Sequence, residues 1–414
     1  MQAVVLAAGR SVRFYPLNSQ NKSFLRLCGK TILEHTLSSI KESGIKDVLV
    51  VVSDKEFASE NLGESIKQEL NITLIEQKEP LGMGDALLRC REFIEDDFFL
   101  LHATHVDFND FYPEMEGKNK GEVLLLAKEE KETGKYGVLK VEGDKVFSII
   151  EKPKDKAPGL RAIGIYLLSK SFLESLEKIP SEHYSLEKAI SQFCETHSVY
   201  FVKTEKESVS VKYPWDLLKL KDYLLNTLTP HVSDKAEISE TTTVDKKAVI
   251  GDGVKILEGA TIKGPCYIGK NSTVGTNALI RGGSVIGDNC VIGAFTEIKN
   301  SIIFDNTKIH SGFLGDSIIG GNNRIASDFS CANRRLDRKN KKIKIGDKEI
   351  DTGTSSFGVI TGDNVNIGIK AATMPGVVIG NNVVVGPRTT VMRNLSDNTK
   401  FYTEFKETVE KKNK

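Results

Sequence analysis

Two different rhythms of apolar and polar residues divide the chain. In the first half, apolar runs of strand length at residues 3–8, 48–52, 72–75 and 98–101 alternate with stretches at 31–43, 57–70 and 83–94. In the stretches, apolar residues recur mostly three to five apart, the spacing that puts them on one face of a helix. Strand–helix alternation of this kind predicts a mostly parallel sheet with helices on both faces. Residues 137–141 and 145–150 predict a hairpin, 163–168 and 199–203 two more strands, and 214–228 a closing helix. Thr229-Pro230 then marks the end of a first domain, residues 1–229.

Past that point the period becomes six. Ile238, Val244, Ile250, Ile256, Ile262, Ile268, Val274, Ile280, Ile286, Ile292 and Ile298 follow one another at that interval, and two places before each stands a small or short residue, from Ala236 to Thr296. Neither a helix nor a plain alternating strand repeats every six residues. A triangular coil does: each short strand points one aliphatic inward, a small residue fills the corner, and three hexads close a turn. Residues 230–414 are therefore predicted to form a left-handed parallel β-helix. The series breaks after Ile298 and resumes at Ile367, Thr373, Ile379, Val385 and Val391, with an insertion at 334–357. Cys266 and Cys290 sit at corner positions and need no chemical role.

Composition narrows the function classes. A length of 414 residues suits two or three domains. The net charge of +1 argues against nucleic acid as the main partner. There is no basic-then-apolar leader, and no apolar run approaches the ~20 residues that span a bilayer, so no membrane partner is expected. Six scattered cysteines without CxxC pairing read as reduced thiols of a cytoplasmic protein.

Val4-Val5-Leu6-Ala7-Ala8-Gly9, running into Arg10-Ser11-Val12-Arg13-Phe14-Tyr15-Pro16-Leu17 with Lys22 beyond, resembles the signature of sugar-1-phosphate nucleotidyltransferases. Such chemistry needs backbone N–H groups close to a polyphosphate and cations to hold charge on the leaving pyrophosphate. The resemblance implies an α/β Rossmann-like nucleotidyltransferase domain. It also implies that Leu6, Ala7, Ala8 and Gly9 bind nucleotide, with Arg13 on the pyrophosphate and Lys22 on the α-phosphate. By the same resemblance, Gln77 and the segment Leu81-Gly82-Met83-Gly84-Asp85-Ala86 would read uracil or thymine, which implies UTP or dTTP as the nucleotide. Ile150-Glu151-Lys152-Pro153 matches the family's EKP motif, which places Glu151, Lys152 and Gly137 on the sugar-1-phosphate, and Ala162-Ile163-Gly164-Ile165-Tyr166 resembles "NAGIY".

Some positions depart from that pattern. The family loop reads GxGTR, and Ser11 and Val12 replace its second Gly and its Thr. The strand at 98–101 normally ends in Gly-Asp, whose carboxylate binds Mg2+; the aligned residues are Ala103-Thr104, and a second ligand falls near Ser210. Asp107 is a candidate replacement ligand if the loop bends back, and His105 a candidate phosphate contact. The alternative is an ordinary surface residue opening a helical turn, where Asp is common.

From Arg281 onward the chain resembles the acetyltransferase half of bifunctional enzymes that join N-acetylglucosamine-1-phosphate uridylyltransferase to glucosamine-1-phosphate acetyltransferase, in their archaeal-type variant. The segment from Ile309 to Ser317 is similar to "PHLSYVGDS", Ala332-Asn333-Arg334-Arg335-Leu336-Asp337 to "ANLRLD", and 358–368 with Met374-Pro375-Gly376 to "GVIxGDNVxxG…xPG". A 2-amino sugar must lose a proton to attack a thioester, and an imidazole is the usual base. The resemblance makes His310 that base, Arg281, Lys299, Lys339 and Lys342 the phosphate ligands, Asn333 an acceptor contact, and Ala371 and Gly358 part of the acetyl-CoA groove. It also implies a homotrimer with sites between subunits. Phe313 stands where the family has tyrosine, and residues 326–329 and 354–358 depart from its loops. Three readings stay open: both transferases active, acetyl transfer alone with a first domain that only binds, or a non-catalytic trimeric scaffold.

Overall fold

The computed structural model describes residues 1–118, 123–155, 157–345 and 348–410. Two compact units emerge, and they do not meet at the single cut after residue 229. The first comprises Met1–Arg10, Asn21–Leu25 and Lys30–Ser210; the second comprises Ser11–Gln20, Arg26–Gly29 and Val211–Lys414. The division shifts because the helix Asp216–Thr227, expected to close the first domain, bonds through Lys221 to Asn300 of the coil.

The first unit is built on a nine-stranded sheet. Its order is Asn71–Glu76, Asp47–Val52, Gln2–Leu6, Phe98–His102, Gly159–Leu168, Val123–Glu130, Val199–Lys203, Lys145–Glu151, Gly137–Glu142. Gln2–Leu6 runs parallel to both its neighbours. Alternation splits it between two cores: Val4 packs with Leu49 and Leu100 on one face, Ala3 and Val5 with Val48 and Leu101 on the other. Burial on both faces explains why these strands read as continuous apolar runs. The helix Ile32–Glu42 starts on a capping box, with Thr31 accepting from the Glu34 N–H and the Glu34 carboxylate accepting from the Thr31 N–H.

Two expected helices differ from the structure, and one strand had no counterpart in the sequence pattern. The stretch 57–70 is two helices, Lys55–Asn61 and Glu64–Glu69, separated at Gly63. The stretch 83–94 is a short helix, Met83–Leu88, followed by a 3-10 turn at Arg91–Phe93. Val123–Glu130, a central strand, was not anticipated, since its leucine-rich run has no strand-specific signal.

The second unit carries three parallel sheets, each taking every third strand in turn. Ile250, Ile268 and Ile286 stand in register in one sheet, and the hexad aliphatics form one continuous core. The turns between strands hold non-glycine residues at positive φ, most of them Asn, including Asn271, Asn289, Asn300 and Asn306. Asn tolerates that conformation better than branched side chains do. The coil does not stop after Ile298. Thr273 pairs with Val291, eighteen residues on, but Glu297 pairs with Phe313, only sixteen on, so shortened turns hid the repeat. The insertion at 334–357 forms a hairpin, Lys342–Ile345 against Lys348–Asp351, closed at its base by an Arg334–Ser356 bridge. No helix among the described residues is long and apolar enough to cross a membrane.

Candidate functional site

In the first unit, the carboxyl ends of Asp47–Val52, Gln2–Leu6 and Phe98–His102 open on one edge, the usual ligand side of a parallel sheet. Leu6 to Gly9 leave the strand there. The Asn21 side chain donates to the carbonyls of Ala7 at 2.6 Å and Gly9 at 3.0 Å, and accepts from Ser23 N–H, fixing the Lys22–Phe24 turn beside the loop. Asn21 escaped the sequence reading because a lone Asn carries no spacing signal. A Cβ added at Gly9 would meet nothing within 4 Å, so the space beside that backbone is open to a ligand. The signature is nonetheless divided: Lys22 belongs to the first unit and Arg13 to the second. In the second unit the Arg13 segment is held by Tyr15 Oη to Asp397 at 3.0 Å, Ser19 Oγ to Asp363 at 3.1 Å and Asn381 Nδ2 to the Pro16 carbonyl at 3.1 Å.

Gln77 is buried, and its Nε2 donates to Gly82 O at 3.1 Å and Asp85 Oδ2 at 2.7 Å. One expected base-reading residue thus shapes the loop that holds the other. Gly82 has φ +110°, and a Cβ there would lie 2.8 Å from the Glu182 carbonyl, so only glycine fits.

Glu151, Lys152 and Gly137 come together. Gly137 pairs with Glu151 across the hairpin, and the Lys152 Nζ lies 3.1 Å from Glu151 Oε1 and 2.9 Å from Tyr184 Oη. Burial opposes the lysine charge, but these two oxygens outweigh it and raise its pKa. Behind them lies Glu187, 7% exposed, with Oε2 unpartnered among the described residues. Burial, reinforced by Glu151, pushes its pKa up to about 7.

The residues after Phe98–His102 do not make a magnesium site. Asp107 is 1% exposed; its Oδ2 accepts from Val209 N–H at 2.7 Å and its Oδ1 faces His105 Nδ1 at 3.4 Å. Magnesium requires hard oxygens open to water and phosphate, and no group of three or more candidate metal ligands occurs among the described residues. Asp107 is therefore not placed to serve as the replacement ligand. Nor does its side chain cap the following helix; it ties two loops together. His105 is buried too, its Nε2 beside Gly164.

In the second unit Asp316 is the organiser. It is buried at φ +51°, and receives Lys299 Nζ at 3.2 Å, Asn300 Nδ2 at 2.7 Å and Asn333 Nδ2. Two expected acceptor ligands, Lys299 and Asn333, thus meet on a carboxylate that had no assigned role. Arg281 lies one position beyond the Ile280–Ile298 pair, level with Lys299 on the adjacent turn, and bonds Glu297 at 2.9 Å. Phe313 lays its ring over Gly315 beside Asn333.

His310 stands in the turn between the strands Lys308–Ile309 and Gly312–Gly315, at most ~20 Å from Asp316 by chain length. It is exposed, and its imidazole has no hydrogen-bond partner among the described residues. It opens on a groove of about 1000 Å³ with Ser311, Lys308, Arg324, Asn366 and Phe295. Phe295, missed in the sequence, is 72% exposed and held at φ +57°. Lys339 and Lys342 stand on the insertion and make no hydrogen bond to the Asp316 cluster among the described residues; Lys342 lies 3.9 Å from Glu349. Ala371 faces the coil core, and a Cβ on Gly358 would strike Ser317 Oγ, so neither lines the groove with a side chain.

Residues 2–224 match the nucleotidyl transferase family, and residues 262–394 match the GMPPB C-terminal domain. The whole chain is 37% identical over 420 residues to the bifunctional protein GlmU of Methanococcus maripaludis, covering 100% of both. The chain belongs to this family. Its GlmU relative from Methanocaldococcus jannaschii is 32% identical, with 97% of each chain covered. A bifunctional sugar-1-phosphate nucleotidylyltransferase/acetyltransferase of Sulfurisphaera tokodaii is 28% identical, with 95% of this chain and 98% of that one covered. The family is one of transferases, and so is this chain.

Proposed function

We propose that the chain is a bifunctional enzyme of nucleotide-sugar biosynthesis. Its first unit transfers a nucleotidyl group from UTP or dTTP to a sugar-1-phosphate, and its coil N-acetylates an amino-sugar-1-phosphate with acetyl-CoA. The observation that carries the second activity is the gathering of Lys299 and Asn333 on Asp316, just after the strand Gly312–Gly315, with His310 two residues ahead of that strand. Lys299, with Arg281 one turn away, gives a phosphate dianion its counter-charge. His310 takes the proton from the amino group as its nitrogen attacks the thioester carbonyl, and CoA leaves as the thiol. Lys339 and Lys342 reach this site only through the insertion, and Gly358 and Ala371 touch CoA only through backbone.

The hexad coil supports a left-handed parallel β-helix, and the exposed apolar Phe295, Leu336, Met374 and Met392 support its burial in a homotrimer. Six free cysteines support a reducing, cytoplasmic setting. In the first unit, Leu6 to Gly9, Lys22, Gln77 and Gly82 suit the nucleotide, and Gly137, Glu151 and Lys152 suit the sugar phosphate.

The buried Asp107 and the pair Ala103-Thr104 favour a second reading of the first unit, in which nucleotide or sugar phosphate binds and transfer is impaired. One purified sample separates the two. Thiol release from acetyl-CoA with glucosamine-1-phosphate tests the coil. Pyrophosphate release from UTP or dTTP, with N-acetylglucosamine-1-phosphate and magnesium, tests the first unit. Thiol without pyrophosphate would leave only the second reading; neither product would overturn both.

A further inference from the structure

The helix Asp216–Thr227 carries a lysine where none is expected. Lys221 is 0% exposed, and a buried ammonium persists only when partnered. Its Nζ donates to Asn300 Oδ1 at 2.7 Å and contacts Asp222 Oδ1 at 2.5 Å. Asn300 passes the interaction on, its Nδ2 donating to Asp316 Oδ1 at 2.7 Å. The other oxygen of Asp316 receives Lys299 and Asn333. A continuous line of bonds thus runs from the helix to two residues of the acceptor site. Gly283 makes room for it: its φ is +76°, and a Cβ there would lie 2.9 Å from Asn300 Oδ1 and 3.6 Å from Lys221 Nζ.

Asparagines bonded along a coil corner are ordinary in this fold, as Asn271 to Asn289 and Asn382 to Asn398 demonstrate. Those pairs are exposed. The Asn300–Asp316 pair differs, with a buried ammonium at one end and acceptor ligands at the other.

We infer that Lys221 is a positioning residue for acetyl transfer, acting through Asn300 and Asp316 on Lys299 and Asn333; this rests on the acetyltransferase reading above. The physical reason is the symmetry of an amide. Asn300 can present either its oxygen or its nitrogen to Asp316, and the oxygen would face a carboxylate unfavourably. A cation-donated bond to Oδ1 holds the amide the right way round. Asp316 then keeps one oxygen for Asn300 and the other for the two ligands, so Lys299 stands where the phosphate of the acceptor must lie. Losing Lys221 leaves the Asn300 amide held from the Asp316 side alone, and the anchor that the acceptor ligands share is loosened.

The test compares the full-length protein with Lys221→Met, which keeps the chain length and apolar stem but removes the donors. The KM for glucosamine-1-phosphate should rise about five- to tenfold, while the KM for acetyl-CoA stays within about twofold. A general structural defect would move both constants together, and that result would overturn the inference. Combining Lys221→Met with Asp316→Asn should cost no more than Asp316→Asn alone, since both act through one line; additive losses would overturn it. If the unaltered protein releases no thiol, the acetyltransferase reading fails, and calorimetric affinity for glucosamine-1-phosphate decides the inference instead. Weaker binding by the Met variant would support it. Equal binding, or none by the unaltered protein, would overturn it.

Discussion

Lys299 Nζ sits 3.2 Å from Oδ2 of Asp316, a carboxylate almost entirely removed from solvent. The lysine remains partly exposed, so one face is anchored while the other can meet a ligand. Asp316→Asn keeps the shape and suits the left-handed backbone, but withdraws the negative charge. The kcat/KM for acetyl transfer should fall about tenfold or more, read by thiol release at low acceptor concentration.

His310→Ala should lower the rate of thiol release by about 10²-fold or more. Because His310 is exposed and unbonded, circular dichroism and Tm should stay unchanged. An unaltered rate would remove it as the base.

Glu187 gives the first unit a pH signature. Its folded pKa of about 7 lies above the ordinary 4.5, so the folded protein keeps a proton that the unfolded chain has released across that window. Stability from this group therefore falls as pH rises from about 4.5 to 7 and stays low above it. Glu187→Gln should raise the stability of the unit by roughly 1–3 kcal/mol at pH 8 and leave it nearly unchanged at pH 4. Thermal melts at both pH values check the sign.

Gly82→Ala places a methyl against the carbonyls of Glu182 and His183 in a backbone region that side chains avoid. The expected loss is about 1–3 kcal/mol, measured by urea unfolding, together with weaker nucleotide binding because Gln77 donates to the same turn.

Thr104→Asp restores a carboxylate at the position aligned with the family's metal-binding residue. Magnesium-dependent pyrophosphate release should rise about tenfold if hard oxygen is what the first unit lacks. A flat response across a magnesium titration would show that a carboxylate at this position is not what limits the first unit.

The hexad series and the strand–helix alternation were legible because each is local: one residue in six must fill a coil, and apolar residues three to five apart must share a helix face. Motif by motif, the first strand and its loop, the 137–151 hairpin and the neighbourhood of Asp316 also stood out. What stayed hidden has a common cause. The turns between Ile298 and Ile325 shorten from eighteen to sixteen residues, which a strict count of six cannot follow.

By itself, then, the amino-acid order set out the two architectures and named candidate residues for the chemistry, since backbone periodicity and side-chain type are written along the chain. Only the tertiary structure decided how those residues are used. Asp107 looked available for a metal, but folding buries it against Val209 and His105. Ala371 looked like groove lining, but it faces the core. Asp316 and Lys221 had no role until packing brought Asn300 between them. Burial and the hydrogen bonds it demands depend on residues far apart in sequence, and no local pattern records them.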